Sequence, residues 1–239
     1  MKIDILAFGA HPDDVELGCG GTLYKAVING KTVGIIDLTK GELGTRGDIK
    51  TRAIEASNAS KVLGVSFREN LEMPDGFLTN SKENQLLIIN MIRKYQPEIV
   101  FCNSFEDRHP DHSKASQLVR DSCFLSGLVK IITKDIDGNV QKFWRPNAVY
   151  SYIQWKSLKP EFVVDISSSI DVKISAVKCY KSQFYNPSSD EINTPISTKN
   201  FIKSVRYRAA DLGRLTNLDY AEGFISDRLI SVDSIFDLK

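Results

Sequence analysis

Residues 3–38 read IDILAFGAHPDDVELGCGGTLYKAVINGKTVGIIDL, and this stretch decides the fold. Its first part, residues 3–10, is dominated by apolar side chains, as is typical of a buried strand. Residues 15–29 follow with a helical pattern that stops at Gly30, and residues 32–38 form a second strand pattern. A strand, a helix and a strand in this order predict two neighbouring parallel strands joined by a crossover helix.

The same alternation of strand and helix patterns continues along the chain. Further strand patterns lie at residues 66–71, 98–103, 148–155 and 162–166, and further helix patterns at residues 51–63, 82–95, 111–124, 172–184 and 200–212. This alternation predicts the α/β class: a Rossmann-like, doubly wound, mostly parallel sheet with helices on both faces, in the strand order 3-2-1-4-5. We find no repeat or linker, so we expect residues 1–239 to form a single domain.

Two short histidine motifs follow the first and fourth predicted strands. The sequence His-Pro-Asp-Asp occupies residues 11–14, and the sequence His-Pro-Asp-His occupies residues 109–112. In the order 3-2-1-4-5, strands one and four are neighbours, and their carboxyl ends border the crevice where such sheets bind ligands. We therefore expect the two motifs to meet, although about a hundred residues separate them.

These motifs contain all three histidines of the chain, His11, His109 and His112. Two imidazoles and one carboxylate, with a position left for water, form a recurrent catalytic zinc arrangement. The pair Asp13 and Asp14 offers one carboxylate for the metal and one to take a proton from the water, and the residues alone leave open which does which. A histidine that is not a ligand would, when protonated, stabilise an oxyanion and protonate a leaving amine. A Pro-Asp helix start is the simpler interpretation, but it leaves the histidines unexplained.

The composition excludes several classes of partner. Hydrophobic residues make up 42% and charged residues 26%, and the formal net charge is +1, so nothing draws the chain to nucleic acid or an anionic membrane. No segment approaches the roughly 18 to 20 apolar residues of a membrane helix, and the opening segment is typical of a strand and not of a signal peptide. The four cysteines are widely spaced, which favours a reducing cytoplasm. We expect a cytoplasmic protein with a small-molecule partner.

Both motifs resemble those of a known family. The sequences AHPDDVE at residues 10–16 and RHPDH at 108–112 resemble the PIG-L/LmbE family of zinc-dependent N-deacetylases, whose substrates contain N-acetylglucosamine. The likeness extends over most of the chain and includes MPD at 73–75, EDR at 106–108, SQF at 182–184, TP at 194–195 and YAEGF at 220–224. The later segments are similar to the bacillithiol-biosynthesis branch, which acts on N-acetylglucosaminyl malate. The resemblance implies an LmbE-like fold, hydrolysis of that conjugate to glucosaminyl malate and acetate, and a homo-oligomer.

The resemblance also implies roles for five residues of the two motifs. It makes His11, Asp14 and His112 the ligands of Zn²⁺, and Fe²⁺ would accept the same ligands. It makes Asp13 the general base and His109 the electrostatic stabiliser or general acid.

Outside this group, the resemblance implies three further roles. Asp111 is not a ligand itself but accepts a hydrogen bond from an imidazole that binds the metal, and so orients that ring. Arg52 and Arg108 contact the substrate, since a guanidinium binds a malate carboxylate through two hydrogen bonds, and surface salt bridges are the alternative. Two positions depart from the branch: Ala148 stands where the branch has a basic residue, and Phe201 where it has a tyrosine.

The glycine-rich sequence KGELGTRG at residues 40–47 follows the second predicted strand, at the same edge as the metal. Its glycines suggest either a lid over the sugar or an ordinary connection with charged tips.

Three other functions are compatible with parts of the sequence. A dinucleotide site would use the glycines at residues 18–21, but they lie inside a helix pattern, and Asp13 and Asp14 would repel a pyrophosphate at the helix start. A structural metal site usually has four protein ligands, often cysteines, whereas three are assigned here. A deacetylase of another N-acetylglucosamine conjugate, such as diacetylchitobiose, shares the chemistry and is the main alternative.

Overall fold

The computed structural model describes residues 2–237, which form one seven-stranded sheet in the order β3-β2-β1-β4-β5-β7-β6. The strands are β1 (Ile5–Gly9), β2 (Val33–Thr39), β3 (Phe67–Met73), β4 (Ile99–Asn103), β5 (Ala148–Tyr152), β6 (Phe162–Asp165) and β7 (Ala221–Ser226). Strands β1 to β5 are parallel in the order 3-2-1-4-5, as the alternating pattern predicts. Strand β7 is antiparallel to both β5 and β6.

In the described part of the chain, six α-helices cover the two faces of the sheet. They are α1 (Asp14–Ile28), α2 (Ile49–Leu63), α3 (Lys82–Tyr95), α4 (Pro110–Ser126), α5 (Ile170–Val177) and α6 (Lys199–Arg214). Helices α1, α2, α5 and α6 contribute to one hydrophobic cluster, and α3 and α4 to the other. This arrangement confirms the doubly wound α/β fold. Within residues 2–237, no helix combines the length and apolar character needed to cross a bilayer.

Strand β1 joins the two cores because its side chains alternate between them. Ile5 and Ala7 belong to the cluster beneath α1, whereas Leu6, Phe8 and Ala10 belong to the cluster beneath α3 and α4. All five side chains are buried, as expected for a central parallel strand covered on both faces. The strand is therefore anchored on both sides just before the first histidine motif.

Strand β7 was not among the predicted strands, because a charged residue and a glycine interrupt its apolar pattern. Glu222 points into the protein, where its carboxylate accepts hydrogen bonds from the backbone N–H groups of Gly21 and Thr22 at 3.0 and 2.7 Å. It also forms a buried ion pair with Lys173. A buried carboxylate with this many partners is stable in a core, but in the sequence it looks like a surface residue.

The helix predicted at residues 172–184 is wrong at its carboxyl end, since α5 stops at Val177. The following turns direct side chains towards α1 and α2. The Tyr180 hydroxyl donates to Glu16 at 2.9 Å, and the backbone N–H of Ser182 donates to Glu55 at 2.7 Å. The backbone N–H of Ser182 thus donates to a carboxylate where a longer helix would supply a carbonyl oxygen.

Candidate active site

The two histidine motifs meet at the carboxyl ends of β1 and β4, as their positions predict. Strands β1 and β4 pair side by side, so the loops that follow them leave the sheet together. The ring centroid of His11 lies 4.5 Å from that of His109 and 5.5 Å from that of His112. One nitrogen of each ring lies within 4.8 Å of the others, so the group has the dimensions of a metal site.

Asp14 lies between two of these imidazoles. Its Oδ1 is 3.1 Å from His112 Nε2, and its Oδ2 is 3.4 Å from His11 Nδ1. Each oxygen of the Asp14 carboxylate therefore faces one of these two nitrogens. Two histidines and one carboxylate are a donor set that suits Zn²⁺ or Fe²⁺.

The Asp14 carboxylate is fixed by three hydrogen bonds. Gln154 Nε2 donates to Oδ1 at 2.7 Å, while Asn103 Nδ2 and the backbone N–H of His11 donate to Oδ2 at 3.2 and 2.9 Å. No motif in the sequence indicates the role of Gln154. It reaches Asp14 only because β5, which ends two residues earlier, lies next to β4.

Each of these two imidazoles has a carboxylate behind it. His112 Nδ1 is 2.9 Å from Asp107 Oδ2, and His11 Nε2 is 3.0 Å from Asp75 Oδ1. The predicted partner Asp111 is also close, with Oδ2 3.7 Å from His11 Nε2, but Asp75 is nearer. Carboxylates in this position fix the tautomer and orientation of a metal-binding histidine. Sequence reasoning assigned no role to Asp75 or Asp107, although both lie in segments that resemble the family.

The electrostatics of the group favour positive charge. Burial raises the pKa of Asp14, but His112 and His11 outweigh it and hold that pKa well below its ordinary value. Burial lowers the pKa of His112, but Asp14 and Asp107 outweigh it and raise the pKa to about 9. The surroundings that draw protons onto the imidazoles would equally favour a cation between these groups.

Asp13 differs from Asp14 in backbone conformation and in partners. Its φ of 123° is rare for any residue other than glycine. Arg52 donates to Asp13 Oδ2 at 2.9 Å and to the carbonyl oxygen of Pro12 at 2.8 and 3.1 Å. Burial raises the Asp13 pKa to about 7, although Arg52 lowers it. A carboxylate with such a pKa is suited to general-base catalysis.

His109 is oriented by the start of helix α4. Its Nδ1 accepts a hydrogen bond at 3.2 Å from the backbone N–H of Asp111, so in the neutral ring the proton is on Nε2. Burial and the neighbouring His11 and His112 lower the pKa of His109. The ring can therefore donate a hydrogen bond from Nε2 without being protonated.

These groups open into a cavity of about 390 Å³. Its walls include His11, Asp13, Asp14, Arg46, Arg52, Asp75, Arg108, His109, His112, Gln154, Trp155, Thr194, Pro195, Ile196, Phe201 and Arg208. The Arg108 guanidinium lies 4.6 Å from the centroid of the Trp155 ring. Thus the predicted substrate contacts Arg52 and Arg108 both line the cavity. Arg46 and Arg208 also line it, and sequence reasoning assigned no substrate contact to either.

The glycine-rich loop at residues 40–47 forms one wall of the cavity. Arg46 Nη2 donates to Ser189 Oγ at 2.7 Å, and the backbone N–H of Gly47 donates to Glu191 at 2.7 Å. Gly41 has a φ of 66°, and an added Cβ there would lie 3.1 Å from the Arg52 guanidinium. The presence of glycine at residue 41 is thus explained by its positive φ and by its close approach to Arg52.

Several known proteins are similar to this chain. The family model of PIG-L, the GlcNAc-PI de-N-acetylase, matches residues 6–123, which contain both histidine motifs. The chain is 30% identical to the diacetylchitobiose deacetylase of Thermococcus kodakarensis over 191 residues, which cover 75% of this chain and 70% of the relative.

Two solved structures share the fold over nearly the whole chain. The conserved protein TT1542 from Thermus thermophilus is 35% identical, with a TM-score of 0.85, and the match covers 97% of this chain and 98% of that one. The N,N'-diacetylchitobiose deacetylase from Pyrococcus horikoshii is 26% identical, with a TM-score of 0.81, covering 93% and 83%. With the converging histidine motifs, these matches show that the chain belongs to the PIG-L family of metal-dependent N-deacetylases.

Proposed function

We propose that the protein is a zinc-dependent hydrolase that removes the N-acetyl group from an N-acetylglucosamine conjugate. The observation that carries this proposal is that the cavity holds a set of metal donors and, separately, a general base and a hydrogen-bond donor. His11, Asp14 and His112 converge as a donor set, while Asp13 and His109 face the same cavity. A structural metal site requires neither a base such as Asp13 nor a hydrogen-bond donor such as His109. Amide hydrolysis requires both.

The close approach of Asp14 to both imidazoles fits a cation at that point. His11, Asp14 and His112 would hold Zn²⁺, and Fe²⁺ would accept the same donors. When bound, the metal lowers the pKa of water and polarises the acetyl carbonyl group. Gln154, Asn103, Asp107 and Asp75 then keep the ligands oriented through the hydrogen bonds described above.

The remaining residues perform the proton transfers. Asp13 takes one proton from the attacking water while the water oxygen bonds to the carbonyl carbon. His109 donates a hydrogen bond from Nε2 to the carbonyl oxygen as negative charge develops there. Asp13 then delivers its proton to the nitrogen, the C–N bond breaks, and the products are the free amine and acetic acid, which ionises to acetate.

Diacetylchitobiose, or a similar N-acetylglucosamine conjugate, is the substrate that the comparisons favour. Two of the similar proteins are named diacetylchitobiose deacetylases. The cavity of about 390 Å³ lies within the usual range for small-molecule sites. Trp155, which lines the cavity and stacks on Phe201, contributes aromatic surface to it.

N-acetylglucosaminyl malate is the second candidate, and two arginines favour it. Arg108 and Arg208 both line the cavity, and within residues 2–237 neither guanidinium makes a hydrogen bond or an ion pair. Malate carries two carboxylates that such guanidinium groups would bind. A neutral disaccharide offers them only hydroxyl groups.

The test is a comparison of the two substrates with the zinc-loaded protein, measuring release of free amine and of acetate. We expect hydrolysis of at least one conjugate, and the ratio of the two kcat/KM values identifies the preferred class. The matched control is Asp13→Asn with its zinc content measured, because this variant removes the base and retains the ligands. Absence of amine release from both conjugates by protein with stoichiometric metal would refute the proposal.

A further inference from the structure

We infer that Asp75 is a positioning residue that couples the metal-binding His11 to the glycine-rich loop over the cavity. This inference rests on the metal site of the proposed function. Asp75 is 6% exposed and follows β3 by two residues. Its Oδ1 lies 3.0 Å from His11 Nε2, while its Oδ2 accepts a hydrogen bond at 2.9 Å from the backbone N–H of Leu43 in the loop. The Asp75 carboxylate thus connects His11 to the loop at Leu43.

The loop also binds Asp75 in return. Glu42, the neighbour of Leu43, accepts a hydrogen bond from the backbone N–H of Asp75 at 2.8 Å. The next residue, Gly76, has a φ of 75° and donates its N–H to Asp111 Oδ2 at 2.6 Å. A Cβ at Gly76 would lie 3.1 Å from Leu43 Cδ1, so the two segments are in close contact. Asp75 is therefore held from several directions and has little freedom to reorient.

This arrangement makes the His11 imidazole the link between the proposed metal position and the loop. His11 Nδ1 faces Asp14 and Nε2 faces Asp75, so a cation held at Nδ1 would fix the ring between the two carboxylates. A fixed ring keeps Nε2 on Asp75 Oδ1, and the other oxygen of that carboxylate accepts the hydrogen bond from Leu43. Metal binding should consequently order the loop, and an ordered loop should in turn favour metal binding.

The substitution Asp75→Asn tests both parts of the inference. An amide has one acceptor oxygen, so it cannot present separate oxygens to His11 and to Leu43. We expect zinc affinity, measured by competition with a chelator, to fall by roughly 10- to 100-fold, the usual effect of losing such a partner. In the wild-type protein, zinc should slow amide hydrogen exchange at residues 41–47, and in Asp75→Asn this zinc dependence should disappear.

Three other variants sharpen the test. Asp111→Asn changes a carboxylate that lies farther from His11, at 3.7 Å, so its zinc affinity should fall less. Glu42→Ala removes the hydrogen bond from the Asp75 N–H and leaves the contact between Asp75 and His11. The position is exposed, so the variant should fold. Amide exchange in the loop should become faster, and zinc affinity should fall less than in Asp75→Asn. Asp137→Asn, at an exposed turn far along the chain, should change neither quantity.

Several results would overturn the inference. Wild-type zinc affinity in Asp75→Asn, or a larger loss in Asp111→Asn, would show that Asp75 does not orient His11. Zinc-dependent loop exchange that persists in Asp75→Asn would remove the coupling. If Asp75→Asn does not fold, unchanged loop exchange in Glu42→Ala decides against the coupling. Because zinc affinity is measured without substrate, failure of deacetylation would refute the proposed function and leave this inference standing, whereas a wild-type protein that binds no zinc would refute both.

Discussion

Replacing Arg52 with methionine would separate a positioning role from substrate binding. Sequence reasoning assigned Arg52 to the substrate, but its guanidinium donates three hydrogen bonds to Pro12 and Asp13. The side chains of Arg52 and Asp13 are only 8% and 7% exposed. Removing Arg52 leaves the carbonyl oxygen of Pro12 without these donors, which costs about 1–3 kcal/mol for a buried polar group, whereas Asp13, whose pKa is already about 7, can take up a proton. We expect Arg52→Met to lose stability in that range.

The same change should lower kcat. Asp13 is held at a φ of 123°, a conformation that costs about 1–3 kcal/mol and persists only where its surroundings impose it. Without Arg52 the residue can relax, and a displaced base of this kind lowers kcat by roughly 100-fold. A residue that only binds substrate would instead raise KM and leave both kcat and stability near the wild-type values.

The assay is urea unfolding in the presence of a chelator, so that altered metal binding does not change the apparent stability. The double variant Arg52→Met with Asp13→Asn is the matched control. An amide needs no counter-ion, so the double variant should be more stable than Arg52→Met alone. A free energy of unfolding for Arg52→Met within about 0.5 kcal/mol of wild type, the range of ordinary surface substitutions, would refute the reasoning.

Four further predictions follow from the site and the core. Asp13→Asn should retain stoichiometric zinc while kcat falls by roughly 10²- to 10⁴-fold, and near-normal turnover would show that Asp13 is not the base. His112→Ala should lose both metal and activity, so a metal analysis that finds full occupancy removes His112 from the ligands. Arg208→Gln should raise KM for N-acetylglucosaminyl malate more than for diacetylchitobiose, and equal effects on both would argue against carboxylate binding. Glu222→Leu should cost about 3–5 kcal/mol in urea unfolding because it leaves Lys173 buried without its partner, and a loss below about 1 kcal/mol contradicts this.

The parallel part of the fold could be predicted because its strand and helix patterns are local in sequence and alternate regularly. Each buried strand of the first half is followed by a helix, and handedness rules then leave few possible strand orders. The order placed the motifs at residues 11–14 and 109–112 together, as the structure does. The branch-level substrate prediction was finer than the comparisons support, since two of the similar proteins are named diacetylchitobiose deacetylases.

The supporting residues of the site could not be predicted in the same way. Gln154 and Asp75 are ordinary polar residues after strands, and their roles depend on which way each side chain turns once the loops are folded. Glu222 resembles a surface residue until Gly21 and Thr22 approach it from α1. Asp75 is 64 residues from His11 in sequence, Gln154 is 140 from Asp14 and Glu222 is 201 from Gly21, so no local pattern records these contacts.

The position of β7 between β5 and β6 has a consequence for the order in which the chain assembles during synthesis. Strand β6 pairs only with β7 in the described sheet, although β7 follows it by more than 50 residues. The five parallel strands can therefore form while the chain is still growing, because domains tend to fold from the amino terminus during translation. Strand β6 must wait, with Phe162 and Val164 uncovered, until residues 221–226 leave the ribosome. An arrest of translation before that point would expose an unpaired apolar strand, which makes this interval the one most in need of chaperone protection.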